Sequence, residues 1–244
     1  MRTQGVSFSV ARHAAWAPGL TTPEAWAAWA QAPFAIDAGA EPGVRQMPPM
    51  LRRRAGFLGK MALEVAYACL GERHGVPTVF CSRHGEAARA IALLADLALG
   101  NLLSPTAFGM AVHNANAGLF SIARAERANH IALAAGASTI EHAVIEACGL
   151  LADGAPMVLL VGADCPLPPT FAVFQECDEQ PHAWAWLMVP AGADPISLTW
   201  AAGGAGEAAS AIPAGLAILR FFLGGEQQLE RVVQQRRWCW MRHG

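Results

Sequence analysis

Six thiols, eight histidines and one Ser-Arg-His-Gly-Glu run are where this chain of 244 residues could do chemistry. The thiols, Cys69, Cys81, Cys148, Cys165, Cys177 and Cys239, form no CxxC pair and show no spacing that suits a zinc site or a disulfide ladder. They read as reduced core thiols, and neither a metal nor a cofactor is expected. Cys81 closes an apolar run and is the best-placed nucleophile among them, although a buried structural thiol is the plainer reading. Ser138 is a second candidate. It lacks the Gly-x-Ser-x-Gly elbow that exposes a catalytic serine and serves equally as a helix cap. His84, in Ser82-Arg-His-Gly-Glu86, and His142, four residues before Glu146, are the imidazoles that could take a proton from such a nucleophile for acyl transfer or hydrolysis. A solvated loop accounts for His84 as well, and an ordinary helical pair for His142 and Glu146, since no third ligand stands at matching spacing.

The elements that must position these residues alternate between strands and apolar helices. Gly5 to Val10 predicts a short first strand, and Thr21-Thr-Pro-Glu24 caps a helix through Trp26, Trp29 and Ala30. Residues 32 to 49, rich in Pro and Gly, predict a loop. Arg54 to Leu70 predicts a largely buried helix, Val76 to Cys81 a strand and Glu86 to Leu99 a helix. Pro105 opens a helix expected to run through Phe108 to Ile122, with Gly109 and Gly118 as places of close backbone approach. Then come a short buried strand at Ile131 to Ala135, a helix at Ala137 to Leu151, and strands at Met157 to Val161 and Ala183 to Val189. Ile196 to Trp200 is expected as an edge strand, Ala201 to Ala214 as a linker, and Leu216 to Trp240 as closing helices. The fold class is α/β, with layered helices on a mixed, mostly parallel sheet.

The composition narrows the partners. With 54% hydrophobic and 15% charged residues, part of the surface is expected to be buried against another chain. A net charge of −2 gives no support for nucleic acid. No uncharged run reaches the roughly 18 residues of a membrane span, and Met1 to Val10 has no secretory pattern, so a cytoplasmic protein is expected. Arg52-Arg-Arg54, Arg236-Arg237 and Arg242 suit either an acidic partner or simple solvation.

Three segments together resemble one known family. Ser104-Pro, Met110, Asn114, Ala117-Gly118 and Ile122 match the central segment of β-ketoacyl-ACP synthases without a gap. Ile131-Ala-Leu-Ala-Ala-Gly-Ala137-Ser is similar to the strand and turn that present their nucleophilic cysteine. Val158-Leu-Leu-Val-Gly-Ala-Asp164 is similar to a later strand of the family. The resemblance implies a thiolase-like fold, the ketosynthase N-terminal half. It also places Ala137 at the nucleophile position, where a methyl group cannot form a thioester. The His-Gly-Thr type motif and the second histidine segment of a complete ketosynthase do not occur in these 244 residues.

A ketosynthase-like chain without that chemistry resembles the chain-length factors of aryl polyene and related type II polyketide systems. The resemblance implies a heterodimer with a catalytic ketosynthase subunit and contact with an acyl carrier protein. It puts Ile131, Leu133 and Ala135 at the interface with His113 and Asn114, and makes Phe108, Met110, Val112 and Asn116 the tunnel residues that set chain length. Val112 takes a gating position. His113 and Asn114 also fit a plainer role, satisfying backbone near Gly109 and Gly118. The expected domains are residues 1–200, a ketosynthase-like half, and 201–244, a linker with a C-terminal helical extension. Two other readings stand beside this one: a free-standing acyltransferase or hydrolase using Cys81 or Ser138 with His84 or His142, and a homodimeric scaffold that holds acyl chains.

Overall fold

The chain opens with a 13-residue strand, β1 (Gln4–Trp16), and turns into α1 (Pro23–Gln31), where Thr22 accepts a 3.2 Å hydrogen bond from the amide of Ala25 and a proline starts the first turn. This computed structural model describes residues 4–203 and 211–243. After the loop come α2 (Pro49–Arg52), α3 (Phe57–Leu70), β2 (Thr78–Cys81) and α4 (Ala87–Ala98). Two shorter helices, α5 (Pro105–Gly109) and α6 (Ala115–Arg124), lead to β3 (His130–Leu133). A 3₁₀ turn over Gly136–Ser138 then runs into α7 (Thr139–Ala152). The remaining elements are β4 (Val158–Asp164), β5 (His182–Pro190), β6 (Ile196–Ala202), α8 (Ala214–Gly224), β7 (Gln228–Val233) and β8 (Arg236–Arg242).

Among the described residues eight strands form one sheet in the order β3-β2-β4-β5-β1-β6-β8-β7. The expected mixed sheet with layered helices is there, but it is mostly antiparallel. Only β2 makes parallel pairs, with β3 and β4, and the other five pairings are antiparallel. Parallel pairing needs a long crossover, and α-helices span the β2–β3 and β3–β4 connections, whereas β4 and β5 are joined by a loop with only a 3₁₀ helix at Pro169–Phe174.

Each face of the sheet carries its own core. On β5, Trp184, Trp186 and Met188 point to the side covered by α1, α7 and α8, while Ala183, Ala185 and Leu187 point to α3 and α6. The side of large rings is filled by indoles, with Trp184 and Trp186 4.6 Å apart between centroids. The alanine side lets α3 lie close against the strand.

Four expectations are corrected. The helix predicted through Ile122 is broken at Met110–Asn114, between α5 and α6. The strand expected as buried, β3, is an open sheet edge whose Ile131, Ala132 and Leu133 are half-buried. The strand expected at an edge, β6, lies between β1 and β8 instead.

The fourth concerns the C-terminus. Past α8 the chain forms the β7–β8 hairpin, not helices, and the hairpin extends the same sheet. Its turn uses Gln234 and Gln235 at φ 50° and 61°, the geometry of a tight hairpin turn that Asn-Gly would usually mark. Trp238 and Trp240 are fully buried while the flanking Arg237 and Met241 are exposed, an alternation with the period of a strand. Of the expected linker, residues 204–210 lie outside the described residues. No helix among the described residues is long and apolar enough to cross a membrane.

Candidate functional site

The turn before α7 is held by its own polar groups. Gly136 takes φ 57°, which favours glycine. The hydroxyl of Thr139 donates to the Gly136 carbonyl at 2.7 Å and accepts from the Ala135 amide at 2.9 Å. The hydroxyl of Ser138 donates to the Ala135 carbonyl at 3.2 Å and is buried. His142 donates from Nδ1 to the Ser138 carbonyl at 2.9 Å, its ring edge against Trp238. From β7, Arg231 donates Nη2 to the Ala137 carbonyl at 3.0 Å and pairs through Nη1 with the fully buried carboxylate of Glu141. Ser138 and His142 are therefore parts of the turn's scaffold. Among the described residues no group of three His, Cys, Asp or Glu side chains could hold a metal ion.

Ala137 borders a cavity of about 650 Å³. Ile140, Ile212, Ala214 and Leu229 line its apolar side; Arg83, His84, Asp164, Glu179 and Arg231 line its polar side. The loop after β2 is anchored by Asp164, whose Oδ1 accepts from the Ser82 hydroxyl and the Arg83 amide, both at 2.8 Å. Arg83 pairs with Glu176 at 2.5 Å. His84 Nε2 lies 3.0 Å from Glu179 Oε1, and the other oxygen of Glu179 accepts from the Leu167 amide. The carboxylate thus orients the imidazole. Among the described residues no hydrogen bond joins it to a serine or cysteine side chain.

The thiols do not fill that gap. Burial, reinforced by Asp164 and Glu141, raises the Cys81 thiol well above its ordinary range. Cys165 and Cys177 border the cavity, and burial followed by nearby carboxylates raises both. Cys69 and Cys148 are pushed by burial up to about 12. A neutral buried thiol is a poor nucleophile. Asp164, Glu179 and Arg231 were not singled out from the sequence. Arg231 stood in a segment expected to be helical, and its partner Glu141 is 90 positions away.

The residues expected to set chain length lie elsewhere. Phe108 and Val112 are 64% and 42% exposed, while Met110 and Asn116 are buried. Asn116 donates to Glu86 at 3.0 Å, and His113 donates from Nε2 to the Leu133 carbonyl of β3 at 3.0 Å. Asn114 is exposed at the start of α6 and makes no side-chain cap. Ile131, Leu133 and Ala135 are half-buried on or beside the open edge. Next to this segment, α4 buries none of its residues, and Leu94, Leu97, Leu99 and Leu102 are exposed, the last completely. Of the arginines, Arg53 and Arg54 face solvent, whereas Arg52 and Arg242 donate to backbone carbonyls.

A mixed sheet with helices on both faces, carrying a turn that offers one residue at a helix start, is the architecture of condensing enzymes. The family described as β-ketoacyl synthase, N-terminal domain, matches residues 26–241, and the chain belongs to it. Among solved structures it is similar to a chain of the ketosynthase ApeO in complex with its chain length factor ApeC from Xenorhabdus doucetiae, at 28% identity and a TM-score of 0.86, over 97% of this chain and 99% of that one. It also resembles the ishigamide ketosynthase/chain length factor, at 15% identity and a TM-score of 0.64 over 81% of this chain and 67% of that one. A β-ketoacyl synthase from Burkholderia phymatum STM815 matches at 14% and 0.56, over 93% and 71%. These last two show the fold alone. No curated protein sequence matches the chain.

Proposed function

We propose that the chain is a chain-length factor: it pairs with an active β-ketoacyl-ACP synthase and shapes the tunnel in which the acyl or polyene chain grows, in aryl polyene or related polyketide and fatty-acid-type synthesis. The observation that carries this reading is Ala137. The fold presents it at a turn whose neighbouring hydroxyl and imidazole, Ser138 and His142, are spent on backbone carbonyls. Such a site binds and shapes, but has no group to carry an acyl chain. The likeness at 28% identity to a chain of a ketosynthase–chain length factor complex supports the same reading.

In this account residues 1–200 are the ketosynthase-like half and 201–244 an extension, whose Arg231 and Trp238 pack against Glu141 and His142 of α7. The open edge at Ile131, Leu133 and Ala135, with His113, Asn114 and the exposed leucines of α4, meets the ketosynthase. Of the tunnel residues, the exposed Phe108 and Val112 face the growing chain once the partner closes the tunnel, and the buried Met110 and Asn116 back them. Arg53 and Arg54 remain free for an acidic carrier protein. Bulk in a closed apolar tunnel stops elongation by steric overlap.

The test is acyl-adduct mass spectrometry on the complex during turnover with an acyl-carrier substrate. The acyl group is expected on the ketosynthase subunit and not on this chain. An adduct on Cys81 or Ser138 would overturn the proposal in favour of a free-standing acyltransferase or hydrolase.

A further inference from the structure

The break between α5 and α6, Met110–Asn114, follows the glycine that ends α5, Gly109, and its position is tied to the rest of the fold by side-chain bonds. Two polar residues hold it, and each is seated on a glycine. Asn116 packs over Gly59 and donates to the buried carboxylate of Glu86. His113 lies over Gly85, where an added Cβ would stand 2.6 Å from its Nδ1; Gly85 itself has φ 56°. The loop under the ring is fixed in turn, since the Gly85 amide donates to the Ser82 hydroxyl at 2.9 Å and that hydroxyl donates to Asp164.

The imidazole reaches one acceptor from this seat, the carbonyl of Leu133, the last residue of the edge strand. That carbonyl also accepts from the Ser82 amide at 3.3 Å. Besides the packing of α6 on β3, the edge strand is thus bonded to the break through the His113 side chain, one residue from the exposed Val112.

We infer that His113 is a positioning residue, which transmits the place of β3 to Val112 so that docking of the partner on the open edge fixes the bore of the tunnel. The inference rests on the chain-length-factor reading. A strand paired across the interface has a set height, and the hydrogen bond carries that height to the break. Without the bond, Val112 keeps its bulk but loses its fixed place, so the length limit blurs rather than shifts.

The experiment uses the complex of the full chain with the ketosynthase that co-purifies with it, and reads product lengths by mass spectrometry. H113L is expected to keep the complex and to raise the share of off-length products roughly fivefold, the factor for one net hydrogen bond of about 1 kcal/mol, while H113Q, whose amide can donate to the same carbonyl, stays within about twofold of the unaltered chain. An unchanged distribution in an intact H113L complex overturns the inference, as do H113L and H113Q distributions shifted alike. Where H113L does not hold the complex, Gly85→Ala, which pushes the ring off the carbonyl, takes its place: a broadened distribution supports the inference and an unchanged one overturns it. An unaltered chain that forms no complex overturns the underlying reading, and this inference falls with it.

Discussion

The turn at Ala137 and the segment from α4 to β3 meet at the C-terminal end of β3 and have opposite characters. At the turn, the hydroxyls of Ser138 and Thr139, the His142 ring and the Arg231 guanidinium are all engaged with backbone or with Glu141. Beside it, no residue of α4 is fully buried, leucines and Phe108 are exposed, and β3 leaves one edge unpaired among the described residues. An open apolar strand edge is a liability for a chain alone and a docking surface for a chain with a partner. The contrast fits the proposed role: the turn is closed on its own framework, and the surface left open for a partner lies beside it.

The largest test of that contrast acts on the closed region. Removing the guanidinium in Arg231→Ala leaves the Glu141 carboxylate buried without its partner, and stability in urea is expected to fall by about 3–5 kcal/mol. The half-exposed Arg237–Glu230 pair provides the control, with a loss of at most about 1 kcal/mol for Arg237→Ala. Equal losses would mean that the turn is not held as described.

The next acts on the open region. A charge placed by Leu97→Glu should leave the stability of the isolated chain within about 0.5 kcal/mol, because the side chain is already in solvent. Affinity for the ketosynthase, by titration calorimetry, should weaken by about 2 kcal/mol, roughly 30-fold. A loss of stability without a loss of affinity would place α4 in the chain's own core.

The smallest effect sharpens the contrast by being nearly null. Ala137→Cys adds one sulfur atom beside the cavity and should change stability by less than about 1 kcal/mol. No condensation product is expected from the isolated variant, since His84 is held on Glu179 and no hydrogen bond among the described residues brings a second imidazole to position 137. Condensation by that variant alone, followed by product analysis, would show that only the thiol was missing.

Much of this could be read from local pattern. Thr22-Pro23 marks a helix start and the apolar period of α3 marks a buried helix, while the place of the turn at Ala137 came from the family resemblance of the segments from Ser104 to Ser138. The features that escaped depend on contacts distant in sequence. Within the break between α5 and α6, His113 bonds a carbonyl 20 residues away, which no periodicity records. Gln234 and Gln235 are good helix formers that a hairpin forces to positive φ, so propensity pointed the wrong way, although the Trp238 and Trp240 alternation held the strand signal. Arg231 completes the turn only because the hairpin returns over α7.

The central claim is that this chain acts through a partner. Its most direct measurement is co-expression with a ketosynthase, with tagged purification followed by product analysis with and without this chain. A one-to-one complex is expected, with loss of product when the chain is omitted. A chain that purifies alone and leaves the product unchanged would contradict the account.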